Sequence, residues 1–307
     1  MAFVTDKGVN LWYEIKGQGQ PLVLSGGFGL LHNQWDFVTD LLAQHYQVIN
    51  WNYRGSGQSD RAWPGKSYNQ DTWVDDLEII LDALDIKDAV LWGTSTGSPT
   101  SIRYTARYQD RVKALITYPM FKADPGFRKA FSYFSGVCET FGYDALACLT
   151  TWIGCAAENV FQPKQGEMAK WEAECFERNF AIETIDEIMS ICSTNDFTSD
   201  LAKITVPTLV LMGESGVLGT NNPANKALAD EFLQHVSGGA AKNHTQGRWH
   251  LLHDRAAGEN RAGGDRLYIH PLNRLCPVPG NVKKPRVARV PGLFNPYWPT
   301  DYPSTHR

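Results

Sequence analysis

The sequence predicts an α/β fold: a mostly parallel sheet carrying a helical lid, with no legible strand or helix at its C-terminal end. Three observations lead there. In the N-terminal half, short β-branched runs alternate with longer amphipathic stretches. From residue 122 to 194, Phe, Trp, Met and Cys recur at helical spacing without a strand-like run. Then KITVPTLVLMGE restores a strongly apolar, strand-length segment. Strands separated by helix-length segments pair in parallel, because a parallel crossover needs a dozen or more residues.

Taken in order, NLWYEI and PLVLSGG read as strands, WDFVTDLLAQ as a helix and YQVINWN as a strand. TWVDDLEIILDAL reads as a helix, because Val74, Leu77, Ile80, Leu81 and Leu84 fall on one face and acidic residues stand early, where the helix dipole favours them. DAVLWG and KALITYP are the next strands, and Pro207 stands at the edge of the apolar run that follows the insertion. ANKALADEFLQHV reads as a helix. The expected organisation is a core over 1–121 and 195–238, a lid over 122–194 and an atypical tail over 239–307.

At 307 residues, with 43% hydrophobic and 12% aromatic residues, the chain has enough apolar side chains to build a core without metals or cross-links. A net charge of −4 gives no basic field for gathering phosphates, so the expected partner is a small molecule and not nucleic acid. No segment approaches the ~20 apolar residues of a membrane span, and the start lacks a basic stretch followed by an apolar run; the expectation is a cytoplasmic protein off the membrane. Cys138, Cys148, Cys155, Cys175 and Cys192 show no C-x-x-C spacing, which predicts reduced, mostly buried thiols and no zinc site.

The chemistry concentrates in LWGTSTGS, where Gly93, Thr94, Ser95, Thr96 and Gly97 fill G-x-S-x-G between an apolar strand and a helical stretch. That context predicts a nucleophile elbow presenting Ser95 on a strained strand-to-helix turn. Upstream, SGGFG ends another strand, and the N–H groups of Phe28 and Thr96 are the candidate oxyanion donors. Arg54 and Asp60 of NYRGSGQSD read as a structural turn packed by the elbow. Trp152, Trp171 and Phe176 are candidate substrate-lining residues, although a helical insertion also needs a core, and core packing accounts for them more readily. No metal or organic cofactor is implied.

SGGFG, NYRGSGQSD, GTSTG, RVKALITYP and VPTLVLMGE stand in an order that resembles the α/β-hydrolase superfamily from about residue 8 to 213. LDALDIKDAVLWGTSTGSPT is also similar to the fungal zearalenone lactonases. Those lactonases carry a catalytic glutamate shortly after the strand that follows the elbow, where this chain reads Thr117, Tyr118 and Pro119. The superfamily resemblance implies serine hydrolysis of a carboxylic ester or lactone, and so a histidine base oriented by an acid. In GESGVLGTNN only Glu214 is available as that acid, with Asp196 and Asp200 as weaker candidates. Of the histidines beyond it, His250 in GRWHLLHD lies closest to the expected place. The alternative is a triad-deficient chain that binds a ligand or performs non-hydrolytic chemistry.

After Gly239 neither an amphipathic helix nor a strand is legible beyond LYI. A reading displaced by one nucleotide from Asn243 can spell TTPRAGGTYYMIEQPEKTAQAVIDFIST, which has the Gly-rich turn, E-x-P element and final helix the family implies, so the tail is expected to be frameshifted or disordered. A lost last strand would leave a sheet edge open, and aggregation is expected on that account.

Overall fold

The computed structural model describes residues 2–60, 69–123, 131–154, 163–212, 222–236 and 240–244, together with Lys129. Its centre is an eight-stranded sheet: β1 Ala2–Asp6, β2 Val9–Lys16, β3 Gln20–Ser25, β4 Tyr46–Trp51, β5 Ala89–Gly93, β6 Val112–Thr117, β7 Thr208–Met212 and β8 Ala240–His244. The spatial order is β1-β2-β4-β3-β5-β6-β7-β8. β2 runs antiparallel to both neighbours, and every pair from β4 to β8 is parallel. The C-terminal ends of β3, β5, β6, β7 and β8 therefore share one edge, where ligands of open parallel sheets bind.

Two strands were not legible. β1 joins β2 through Lys7 and Gly8, both at positive φ, the two-residue turn that matches the twist of a hairpin. β8 corrects the expectation that no strand precedes LYI: AAKNH pairs with β7 from Thr208↔Ala240 to Met212↔His244. Among the described residues β8 is the outermost strand, and its signal was weak because backbone pairing there asks little of side-chain type. The edge of β7 expected to be open is thus paired; the suspected frameshift starts at Asn243, within β8, and the remainder of the tail, LYI included, lies outside the described residues.

The parallel strands bury both faces, and alternation sorts their side chains. Val23, Ile49, Leu91 and Leu115 enter one core, whereas Leu22, Leu24, Val48, Val90, Trp92 and Ile116 enter another. α2 Gln70–Ala83 packs on the first, with Val74, Leu77, Ile80 and Leu81 fully buried, each contributing about 1.5–3 kcal/mol of transfer free energy. Its start is capped by the Asn69 side chain, which accepts the Thr72 N–H at 3.0 Å. The helix expected over WDFVTDLLAQ is shorter: a 3-10 turn over Leu31–Trp35 and one helical turn, α1 Thr39–Leu42. The Thr39 hydroxyl donates back to Trp35 O at 2.8 Å, a local bond that competes with a continuous helix.

α3 Gly97–Arg107 follows β5. Between β6 and β7 stand α4 Phe134–Gly154, kinked at Gly142, then α5 Pro163–Asn179, α6 Ile182–Thr194 and the short α7 Thr198–Leu201. α8 Pro223–His235 matches ANKALADEFLQHV. The helical segment is rooted by two backbone bonds, Ala123 N to Asn195 O at 3.0 Å and Phe197 N to Phe121 O at 2.7 Å, flanking an antiparallel bridge between Lys122 and Asp196. The thiols of Cys138, Cys175 and Cys192 are free and buried, while Cys148 is free and exposed. Among the described residues no helix is long and apolar enough to cross a membrane.

Candidate active site

Ser95 sits at the turn between β5 and α3 with φ +50°. For a residue carrying a Cβ this left-handed backbone is strained, and it persists because neighbours over-determine it. Thr94 N donates to Ser25 O at 3.1 Å, Gly97 N to Thr94 O at 2.9 Å, and Ser98 N to Ser95 O at 3.0 Å. The Ser98 hydroxyl closes the turn on Gly93 O at 3.0 Å. The elbow thus delivers Ser95, half-buried, to the C-terminal edge of the sheet.

The loop after β3 faces it. A Cβ on Gly27 would stand 2.8 Å from Ser95 Cβ and 3.2 Å from its Oγ, so no larger residue fits without moving the elbow. Gln34, buried, accepts the Gly27 N–H at 2.6 Å. Gly27 O accepts from Leu31 N at 2.9 Å, which fixes the Gly27–Phe28 peptide plane and with it the direction of the Phe28 N–H. Neither the Phe28 nor the Thr96 amide donates to a group among the described residues. Two unspent N–H groups beside a serine, one of them at the N-terminus of α3, favour a developing negative charge.

Behind this pair, the Tyr53 hydroxyl lies 3.4 Å from both Gly26 O and Thr96 Oγ1. Burial raises its pKa, so the phenol stays protonated and able to donate. The turn after Tyr53 is structural, as expected: Arg54 pairs with the fully buried Asp76, and Asp60 accepts the Asn10 N–H at 2.7 Å.

α5 supplies the opposite wall. The Phe28 ring lies among Phe134, Phe176 and Phe180, with centroids 5.9, 5.6 and 5.1 Å away. Gly29, at φ +81°, lies so close to the Phe176 ring that a Cβ there would overlap it. Asn179, buried at the end of α5, donates from Nδ2 to Gly29 O at 2.8 Å and to Leu30 O and Asn33 Oδ1 at 3.3 Å. No sequence signal marks Asn179, because its partners stand about 150 residues away; Gln34 carried at most its nearness to SGGFG.

Of the residues singled out from the sequence, Ser95, Thr96, Phe28 and Phe176 are brought together. Trp171 is buried on Phe37, with ring centroids 5.4 Å apart, and Trp152 is exposed on α4. Tyr118, in the stretch where the lactonases carry glutamate, is buried after β6. His250 and Glu214 lie outside the described residues. His32 packs against Trp12, with ring centroids 4.4 Å apart and planes tilted by 46°, and pairs with Asn52, and burial pushes its pKa down to about 4. His45 precedes β4 and so stands at the opposite edge of the sheet from Ser95. β7 and β8 end at Met212 and His244 on the Ser95 edge, two and three strand spacings from β5, or roughly 10 and 14 Å.

Comparison with known proteins agrees with this architecture. Residues 21–120 match the family model described as alpha/beta hydrolase fold. The AB hydrolase superfamily protein YisY of Bacillus subtilis (strain 168) is 30% identical over 220 residues, covering 68% of this chain and 79% of that protein. The zearalenone hydrolase of Bionectria ochroleuca is 32% identical over 120 residues, 38% of this chain and 45% of its own. In structure, the esterase EaEST from Exiguobacterium antarcticum superposes with a TM-score of 0.67 at 21% identity, over 80% of this chain and 90% of the esterase. By sheet order, elbow and relatedness, the chain belongs to the α/β-hydrolase superfamily.

Proposed function

We propose that the protein is a serine hydrolase that cleaves a carboxylic ester or lactone of a moderately apolar small molecule through an acyl-enzyme on Ser95. The observation that carries this reading is the left-handed Ser95 set against Gly27, with the Phe28 and Thr96 amides unspent beside it. Ser95 Oγ attacks the carbonyl carbon while His250 takes its proton. The carbonyl electrons move to an oxygen held by the two amides, and collapse expels the alkoxide, which receives the proton from His250. Water then repeats the sequence and frees the acid and Ser95. Glu214 orients the histidine. Both assignments draw support from topology, because β7 and β8 end on the Ser95 edge and Glu214 follows Met212 by two residues in sequence.

The insertion acts as a lid, with Phe176 beside the acyl group and Trp171 and Trp152 further out. The aromatic surroundings of Phe28 favour an apolar acyl or ring portion over a charged one. Such chemistry needs no cofactor and suits a cytoplasmic enzyme acting on small molecules.

Intact-mass labelling by a small fluorophosphonate tests the reading. The expected result is one adduct per chain, lost in Ser95→Ala and in His250→Ala. Folded protein that takes no label would sink it and favour a triad-deficient protein that binds a ligand or performs non-hydrolytic chemistry.

A further inference from the structure

Asn179 is the last residue of α5 and is 3% exposed, yet its side-chain amide donates to groups outside the insertion. Its Nδ2 donates to Gly29 O at 2.8 Å and Leu30 O at 3.3 Å, the two carbonyls inside the turn that Gly27 O and Leu31 N close at 2.9 Å. Its own carbonyl accepts the Gly57 N–H at 2.8 Å, so the residue is pinned on both sides. The turn it spans contains two left-handed residues, Gly29 at φ +81° and Leu31 at φ +49°, the second strained by its Cβ. A strained turn relaxes unless something holds it. Relaxation here rotates the Gly27–Phe28 peptide, whose N–H is the oxyanion donor of the loop.

We propose that Asn179 is a positioning residue: from α5 it holds the Gly29–Leu30 turn so that the Phe28 amide points at the oxyanion formed on Ser95. The proposal rests on the acyl-transfer reading above. Asn179 touches no reacting atom and acts through the loop, which makes the seating of the insertion a condition for a complete oxyanion site.

Two readouts on the full-length chain test it. The first is the fluorophosphonate inactivation rate, separated into kinact and KI. The second is hydrogen exchange of the Leu31 amide, which reports the turn whether or not the protein is a hydrolase. Asn179→Ala is expected to lower kinact roughly tenfold or more, since loss of one oxyanion donor costs on the order of 10²–10³ in rate and misalignment costs a part of that. KI should stay within about twofold, and Leu31 should exchange faster. Asn179→Asp keeps the volume but sets a carboxylate against two carbonyls. It should match the alanine loss at pH 8 and regain part of the rate, relative to wild type at the same pH, near pH 5, where a protonated carboxyl again offers a donor. If Asn179→Ala fails to fold, the aspartate variant carries the test.

Unchanged kinact with unchanged Leu31 exchange would overturn the proposal. So would parallel losses in kinact, KI and melting temperature, which mark a packing residue. If wild type takes no label, the hydrolase reading falls and Leu31 exchange alone decides whether Asn179 holds the turn.

Discussion

The two walls that meet over Ser95 are built by opposite means. On the core side, Gly27 and the elbow leave no room for side chains: position is set by backbone hydrogen bonds, left-handed residues and the near contact of one chain with another. On the insertion side, position is set by large side chains, Phe134, Phe176 and Phe180 around Phe28, and by Glu172, buried between α4 and α5. Each wall is therefore vulnerable to a different kind of change. A backbone wall fails when atoms are added, a side-chain wall when atoms are removed or charged.

The backbone wall should be most sensitive to atoms added at the elbow. Gly27→Val places carbon 2.8 Å from Ser95 Cβ and is expected to cut fluorophosphonate labelling at least about 100-fold while the circular dichroism spectrum is retained, as misplacement of a reacting group by about 1 Å does. Labelling reduced less than about fivefold would mean that this wall yields.

A second change probes the seam between the walls. Gly29→Ala strains a φ of +81° and drives its Cβ into the Phe176 ring, at an expected cost of about 1–3 kcal/mol in urea unfolding. In the Phe176→Ala background that cost should shrink, because the overlap is gone and only the backbone strain remains. A double-mutant cycle with no coupling would separate the two elements.

The insertion wall should respond to pH. Glu172 accepts hydrogen bonds from the Thr150 and Thr151 hydroxyls, both at 2.8 Å, and burial pushes its pKa up to about 7 from 4.5. The protonated form is therefore favoured in the folded state. Its contribution is fully present below pH 4.5 and is lost as pH rises through about 7. From pH 5 to 8 the wild type should lose stability, by on the order of 1–3 kcal/mol, relative to Glu172→Gln, which has nothing to ionise. Parallel stability curves for the two proteins would place the carboxyl in water.

Legibility in the sequence follows the same division. Strands β3, β5, β6 and β7 were readable because parallel strands buried on both faces must be continuous apolar runs. The elbow was readable because glycine is the one residue that tolerates such approach, and it leaves a local signature. β8, outermost among the described residues, was not, since its place is specified by backbone pairing that AAKNH meets without β-branched residues. Asn179 was invisible because its meaning lies in the carbonyls of Gly29 and Leu30, which only the folded chain brings near. Trp152, Trp171 and Phe176 looked alike as apolar residues at helical spacing, yet one is exposed, one packs on Phe37 and one meets Phe28 of the loop after β3. Periodicity identifies a helix face and says nothing about what lies opposite.

The bridge at Lys122 and Asp196 carries a consequence for the length of the insertion. There the chain leaves the sheet and returns to it one strand spacing apart, roughly 5 Å. Closing a loop across so short a gap costs only about 0.6 kcal/mol more for each doubling of its length. The helices between these two residues can therefore lengthen or shorten at small entropic cost while the strands beneath keep their register. The wall over Ser95 can change in this way without the serine moving.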